Sequence, residues 1–157
     1  MSEPGREFIL KNLIEDLNGA YDYILIDTPP SLGLFPFNAF TASTEVFIPL
    51  QAQYLALQGL SKLLEAVNMV KMRVNKGLQV GGVFITQYDS RKILNRTIVE
   101  DINTRFPGKV FNTMIRDNVA LAEAPISGKD IFQYNPNSYG AKDYLALCKE
   151  IIKQEQI

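Results

Sequence analysis

The chain has 157 residues, 46% hydrophobic and 21% charged, with a net charge of −1. This suits one globular domain over residues 1–157, and nothing in the overall charge argues for nucleic acid. No histidine occurs, which excludes Ser-His-Asp and Cys-His catalysis and every histidine-based metal site, and a single cysteine, Cys148, excludes an internal disulfide. Cys148 sits in an apolar helical pattern and reads as buried and unreactive. No apolar run approaches membrane-spanning length, and residues 1–11 lack the apolar centre of a signal peptide, so the expected compartment is the cytoplasm, with no membrane contact.

Residues 6–18 carry Phe8, Ile9, Leu13 and Leu17 on one side of an amphipathic helix, ended by Asn18-Gly19. The run Tyr23 to Ile26 is apolar and closes on Asp27, followed by Pro29-Pro30 and a Ser-x-Gly turn. That pattern predicts a strand over 21–27 buried on both faces of a parallel sheet. An acid at the C-terminal tip of such a strand lies where open α/β sheets bind ligands. Asp27 has two readings, a cap for the next turn or an acid that orients a metal-bound water beside nucleotide phosphates. Pro36 suits the first turn of a helix reaching about Thr41.

A second strand is expected over 46–50. A long helix over 55–74 follows, with Leu60, Leu63, Leu64, Val67, Val70 and Val74 at helical spacing. The third strand, 79–86, ends in the polar loop Gln87-Tyr88-Asp89-Ser90-Arg91. The next helix carries Leu94, Ile98, Ile102 and Phe106 on one stripe and is broken by Pro107-Gly108. A fourth strand is expected over 110–115, then Arg116-Asp117-Asn118 and a short helical piece through Ala124. Residues 131–134 read as a small edge strand, and Ser138 as the N-cap of a last helix. Strands alternating with helices in this way give right-handed βαβ units and an α/β fold, a mostly parallel sheet with helices on both faces. The loops 27–33, 86–91 and 115–119 then share one rim.

Several of these segments resemble one family in order along the chain. They are Y-D-Y-I-L-I-D-T-P-P-S-L-G at 21–33, Y-L-A-L-Q-G-L at 54–60 and G-G-V-F-I-T-Q-Y-D-S-R at 81–91. The series continues with F-P-G-K-V-F-N-T-M-I-R-D-N-V-A-L-A-E-A-P-I-S-G-K at 106–129 and Y-N-P-N-S-Y-G-A-K-D-Y-L at 134–145. Together they resemble the ParA/Soj branch of the deviant Walker A ATPases, the bacterial plasmid and chromosome partition proteins of the MinD/ParA superfamily. The last helix lacks the basic amphipathic character of a MinD-type membrane anchor.

The resemblance implies roles for particular residues. Asp27 matches the Walker B acid, which holds Mg²⁺ through a water, and Thr28, Pro29 and Pro30 match the segment that senses the γ-phosphate. Thr86, Gln87 and Tyr88 on one side, and Arg116, Asp117 and Asn118 on the other, match the loops around the adenine. Arg91, Lys92 and Arg96 are the candidates for non-specific DNA contact, against the alternative that they only solvate a helix face. Ala120 and Asp117 stand where the family more often has basic residues, so DNA binding is expected to be weak and steeply salt-dependent.

One departure matters most. The family's Gly-rich phosphate loop, with its two lysines, is not among these residues. Gly108-Lys109 and Gly128-Lys129 lack the upstream glycine and the following Ser or Thr. The expectation is therefore a truncated, P-loop NTPase-like sheet without its N-terminal phosphate-loop strand. The full-length family is a Mg²⁺-dependent ATPase using ATP and ADP, whereas this chain alone is expected to hold no nucleotide and to be inactive. The strand at 21–27 should then pair directly with 45–50, or a second chain should fill the edge, giving a dimer or a strand-exchanged oligomer. A ParB-like protein is the expected partner of the first reading. The alternative is a non-catalytic module that binds a full-length relative, a ParB-like protein or DNA.

Overall fold

A computed structural model of the chain describes residues 5–17, 19–29, 31 and 33–155. Its helices are α1 (Ile9–Ile14), α2 (Leu34–Ala42), α3 (Tyr54–Arg73), α4 (Ile93–Arg105), α5 (Val119–Ile126), α6 (Ile131–Tyr134) and α7 (Tyr139–Glu155). Two strands, β1 (Glu45–Gln51) and β2 (Gln79–Thr86), pair side by side, joined by the crossover helix α3. The class is α/β, with a parallel sheet and helices, as the alternation of patterns requires. The chain divides into two compact units, residues 1–46 with 59–81, and residues 47–58 with 82–157.

In the first unit the core is built on α3. Ala66, Val67 and Val70 pack with Phe40 and Leu78, flanked by Phe37, Val46, Leu63, Val74 and Val80. Two asparagines complete it. Asn38, almost buried on α2, accepts from the Leu10 N–H at 3.1 Å and donates to Arg6 O at 2.9 Å and Leu34 O at 3.0 Å, tying the first helical segment to α2. Asn75 donates through Nδ2 to Phe40 O, Thr41 O and Ser43 O at 2.9, 3.3 and 2.7 Å. These carbonyls close α2, where a helix leaves its last acceptors without intrahelical donors.

Two expectations for this unit change. The segment 6–17 is helical in three pieces, with 3₁₀ turns at Arg6–Phe8 and Glu15–Leu17 on either side of α1. Its predicted end at Asn18 lies outside the described residues. Residues 22–29 form neither helix nor strand, and Leu25 is 91% exposed. The expected central strand, and its direct pairing with 45–50, are therefore not formed. An apolar run holds a strand only where neighbouring backbone takes its N–H and C=O groups, and residues 24–29 join no sheet among the described residues.

In the second unit Phe111, Ile115 and Leu147 are buried together, with Phe47, Phe84, Leu121, Tyr144 and Ile151 packed around them. The segment expected as a fourth strand runs beside β2 but is interrupted. The Val83 N–H donates to Lys109 O at 2.7 Å and Val83 O accepts from the Phe111 N–H at 2.9 Å. The next bond reaches Ile85 O from Ile115, at 2.8 Å, rather than from Thr113. Two extra residues are therefore accommodated between these bonds, which leaves bridges in place of a ladder. The Asn112 N–H and the freed Thr113 N–H donate to Glu150 Oε1 at 2.7 Å and Oε2 at 2.9 Å. Gly82 permits the close approach, because a Cβ there would clash with Phe111 Cε2.

Residues 131–134 form α6, not an edge strand, because Asp130 caps them. Its carboxylate accepts from the Gln133 N–H at 2.8 Å, and its carbonyl accepts from the Tyr134 N–H at 2.9 Å. Ser138 caps α7 as expected, its Oγ accepting from the Ala141 N–H at 3.1 Å. Cys148 is exposed, not buried. The buried stripe of α7 passes through Tyr144, Leu147 and Ile151, and Cys148 falls one position off it.

Candidate functional site

The loop after β2 and the segment before α5 meet edge to edge. The Tyr88 N–H donates to Ile115 O at 3.0 Å, and Tyr88 O accepts from the Asp117 N–H at 3.2 Å, so Tyr88 and Arg116 form a parallel bridge. The two trios read from the sequence, Thr86-Gln87-Tyr88 and Arg116-Asp117-Asn118, are thereby brought side by side. Gln87 has φ 52°, the one positive value outside glycine among the described residues. A left-handed residue of this kind costs on the order of 1 kcal/mol and is held only where its neighbours fix it. The two bonds of Tyr88 to the 115–117 segment supply that constraint.

Arg116 is anchored from α7. Asp143, 8% exposed, accepts from the Arg116 N–H at 3.0 Å, from Nε at 2.9 Å and from Nη2 at 2.6 Å, and the guanidinium lies 4.0 Å from the Tyr139 ring centre. Burial pushes the Asp143 carboxyl up, but the hydrogen bonds and charge of Arg116 outweigh it and leave the group below its ordinary value. The same bonds push the Arg116 guanidinium up. Asn118 stands before α5 with its Oδ1 buried and, among the described residues, without a hydrogen-bond partner. An orphaned buried acceptor is costly, and a turn of the Asn118 side chain that uncovers this oxygen would let it accept from an N–H donor outside the chain.

Arg91 and Lys92 lie on the turn that follows β2, and Arg96 lies in the first turn of α4. Asp89 Oδ1 accepts from both the Arg91 N–H and Arg91 Nε at 3.0 Å, and Oδ2 accepts from Nη2 at 3.0 Å. The Arg91 side chain and backbone N–H together lower the Asp89 carboxyl to about 2. Arg96 Nη1 donates to Ser90 O at 2.7 Å. Lys92 has no ion-pair partner among the described residues. The turn is fixed from beneath by Asn95, 7% exposed, whose Oδ1 accepts from the Asp89 N–H and whose Nδ2 donates to Ala52 O, both at 2.9 Å.

Asp27, Thr28 and Pro29 are exposed in the irregular segment of the first unit, and Pro30 lies outside the described residues. Among the described residues no three metal-ligating side chains of the His, Cys, Asp or Glu kind converge. No helix among the described residues is long and apolar enough to cross a membrane. Sequence reasoning missed Asp143, Tyr139 and Asn95, whose partners lie far along the chain. It also gave no role to Asp89, whose spacing to Arg91 is that of an Asx turn.

The family model of the AAA domain matches residues 1–80, and the chain belongs to that family. Within it the similarity runs to the partition proteins, in agreement with the ParA/Soj resemblance. The chain is 44% identical over 155 residues to the chromosome-partitioning ATPase Soj of Treponema pallidum, covering 99% of this chain and 61% of that relative. It is 47% identical over 146 residues to the sporulation initiation inhibitor protein Soj of Bacillus subtilis, covering 93% and 58%. It thus spans about three-fifths of the length of these curated relatives. Among solved structures, the cell division ATPase MinD of Pyrococcus furiosus matches with TM-score 0.75 and 25% identity, over 94% of this chain and 58% of that one. Cobyrinic acid a,c-diamide synthase of Mycobacterium smegmatis, with bound ADP and magnesium, matches with TM-score 0.69 and 31% identity, over 81% and 57%.

Proposed function

We propose that this chain contributes the base-side wall and the Walker B acid of a partition ATPase of the ParA/Soj kind. The observation that carries this reading is the bridged pair of loops, Thr86–Tyr88 beside Arg116–Asn118, with the unpartnered buried oxygen of Asn118. An adenine's exocyclic amino group would supply the donor which that oxygen lacks once the Asn118 side chain turns to uncover it. Asp27 would act on Mg²⁺ through a water, with Thr28, Pro29 and Pro30 as the segment that follows the γ-phosphate.

These 157 residues contain no Gly-x-x-x-x-Gly-Lys-Ser/Thr sequence. Phosphoryl transfer depends on phosphate-loop amides, a lysine and Mg²⁺ acting together, and loss of one comparable oxyanion donor already costs about 10²–10³ in rate. The base wall alone gives weak contact, not a retained cofactor, and the chain by itself does not turn ATP over. Steady-state phosphate release with ATP and Mg²⁺ tests this. The expected result is a rate equal to that of the Asp27→Ala variant; turnover that this substitution abolishes would contradict it.

Arg91, Lys92 and Arg96 would meet DNA phosphates without regard to sequence, and weakly, because Arg91 is already engaged by Asp89 and Arg96 by the Ser90 carbonyl. A ParB-like protein is the expected protein partner. The exposed Leu25 and its neighbour Ile24 support association with a second chain along this segment, as a dimer or a strand-exchanged oligomer.

A further inference from the structure

The turn 89–92 contains more than basic side chains. Arg91 is 88% exposed, yet its guanidinium is forked onto the Asp89 carboxylate, which is 16% exposed and held in place by the Arg91 N–H. The planar fork of an arginine fits a carboxylate and a phosphate by the same bidentate geometry. A DNA phosphate arriving at Arg91 therefore finds its position taken by an anion of the same chain. If it displaces that anion, it leaves Asp89 as an uncompensated negative charge beside the DNA.

We propose that Asp89 is a built-in competitor for phosphate at Arg91, a residue that holds down the affinity of this turn for nucleic acid. The proposal rests on the DNA-binding reading above. It differs from a purely structural role for Asp89 in the direction of its consequence. A carboxylate that only shaped the turn would, once neutralised, leave binding unchanged or weaker. A competitor, once neutralised, leaves binding stronger.

The substitution Asp89→Asn separates these, because the amide keeps an oxygen for the Arg91 N–H and removes the charge. Asp89→Ser likewise keeps a side-chain acceptor and serves where the first variant folds poorly. The probe is a fluorescein-labelled duplex of about 24 base pairs and arbitrary sequence, followed by anisotropy across a salt series. The expected result is binding about fivefold tighter than that of the unsubstituted chain, with the slope of log K against log salt steeper by about one phosphate contact. Adding Arg91→Ala to Asp89→Asn returns binding to the level of Arg91→Ala alone. The proposal is overturned if both neutral variants bind no more tightly than the unsubstituted chain while Lys92→Ala weakens binding; the DNA reading then survives without it. If neither the unsubstituted chain nor the neutral variants bind the duplex at the lowest salt, the DNA reading falls and the proposal falls with it.

Discussion

Asp143 shows how much one side chain settles in the second unit. Its carboxylate takes three donors from Arg116, backbone and side chain, and so fixes the segment whose neighbours include Asn118. Its native pKa lies below the ordinary value. The sign follows from linkage: the stabilisation is fully present above the unfolded aspartate pKa of about 3.9 and is lost as pH falls through the depressed native value. Asp143→Asn should cost on the order of 1 kcal/mol near neutral pH, the figure being held down by the half-exposed guanidinium. It should also flatten the fall of stability between about pH 5 and pH 2. Urea unfolding across that range checks both, and an unchanged acid slope would remove Asp143 from its place as the anchor of Arg116. From sequence, Arg116 was legible as a site candidate because it follows an apolar run. Asp143 was not, since nothing local marks which of α7's polar residues turns inward.

At the scale of elements, Asn75 deserves the same treatment as a cap. Three terminal carbonyls of the α2 region converge on one amide located beyond α3. Asn75→Ala should therefore destabilise the chain by about 1–3 kcal/mol, since it removes the donor and leaves part-buried acceptors behind. Chemical denaturation measures this, and a loss below about 0.5 kcal/mol would show that water replaces the amide at no cost. The long periodic elements, β1, α3, β2 and α4, are where the sequence pattern predicts them, because their spacing alone carries the signal. The failures are equally physical. The stretch 110–115 reads as a continuous strand, but Glu150, far along the chain, takes the Thr113 N–H that a continuous ladder would give to Ile85 O. Residues 131–134 have strand-like composition, yet the capping carboxylate of Asp130 decides for a helical turn. The apolar run ending at Asp27 has the pattern of a buried strand, yet residues 22–29 form none and join no sheet among the described residues. Composition specifies what a segment can bury, whereas the partner decides whether it does.

For the molecule as a whole, the proposed function assigns the base side of a nucleotide site to the loops at 86–88 and 116–118, while no Gly-x-x-x-x-Gly-Lys-Ser/Thr motif to hold the phosphates is among these residues. Amide NMR spectra of the isotope-labelled chain, titrated in parallel with adenosine and with Mg²⁺-ATP, test that most directly. Weak, fast-exchanging shifts are expected within residues 86–88 and 115–118, with dissociation constants in the millimolar range, on the order of 4 kcal/mol of binding free energy. Adenosine and ATP should agree within about threefold, and Asn118→Ala should remove the response to both, because the base alone is recognised. Shifts absent from those loops at about 10 mM ligand, or ATP bound a hundredfold or more tighter than adenosine (about 2.8 kcal/mol), would contradict it.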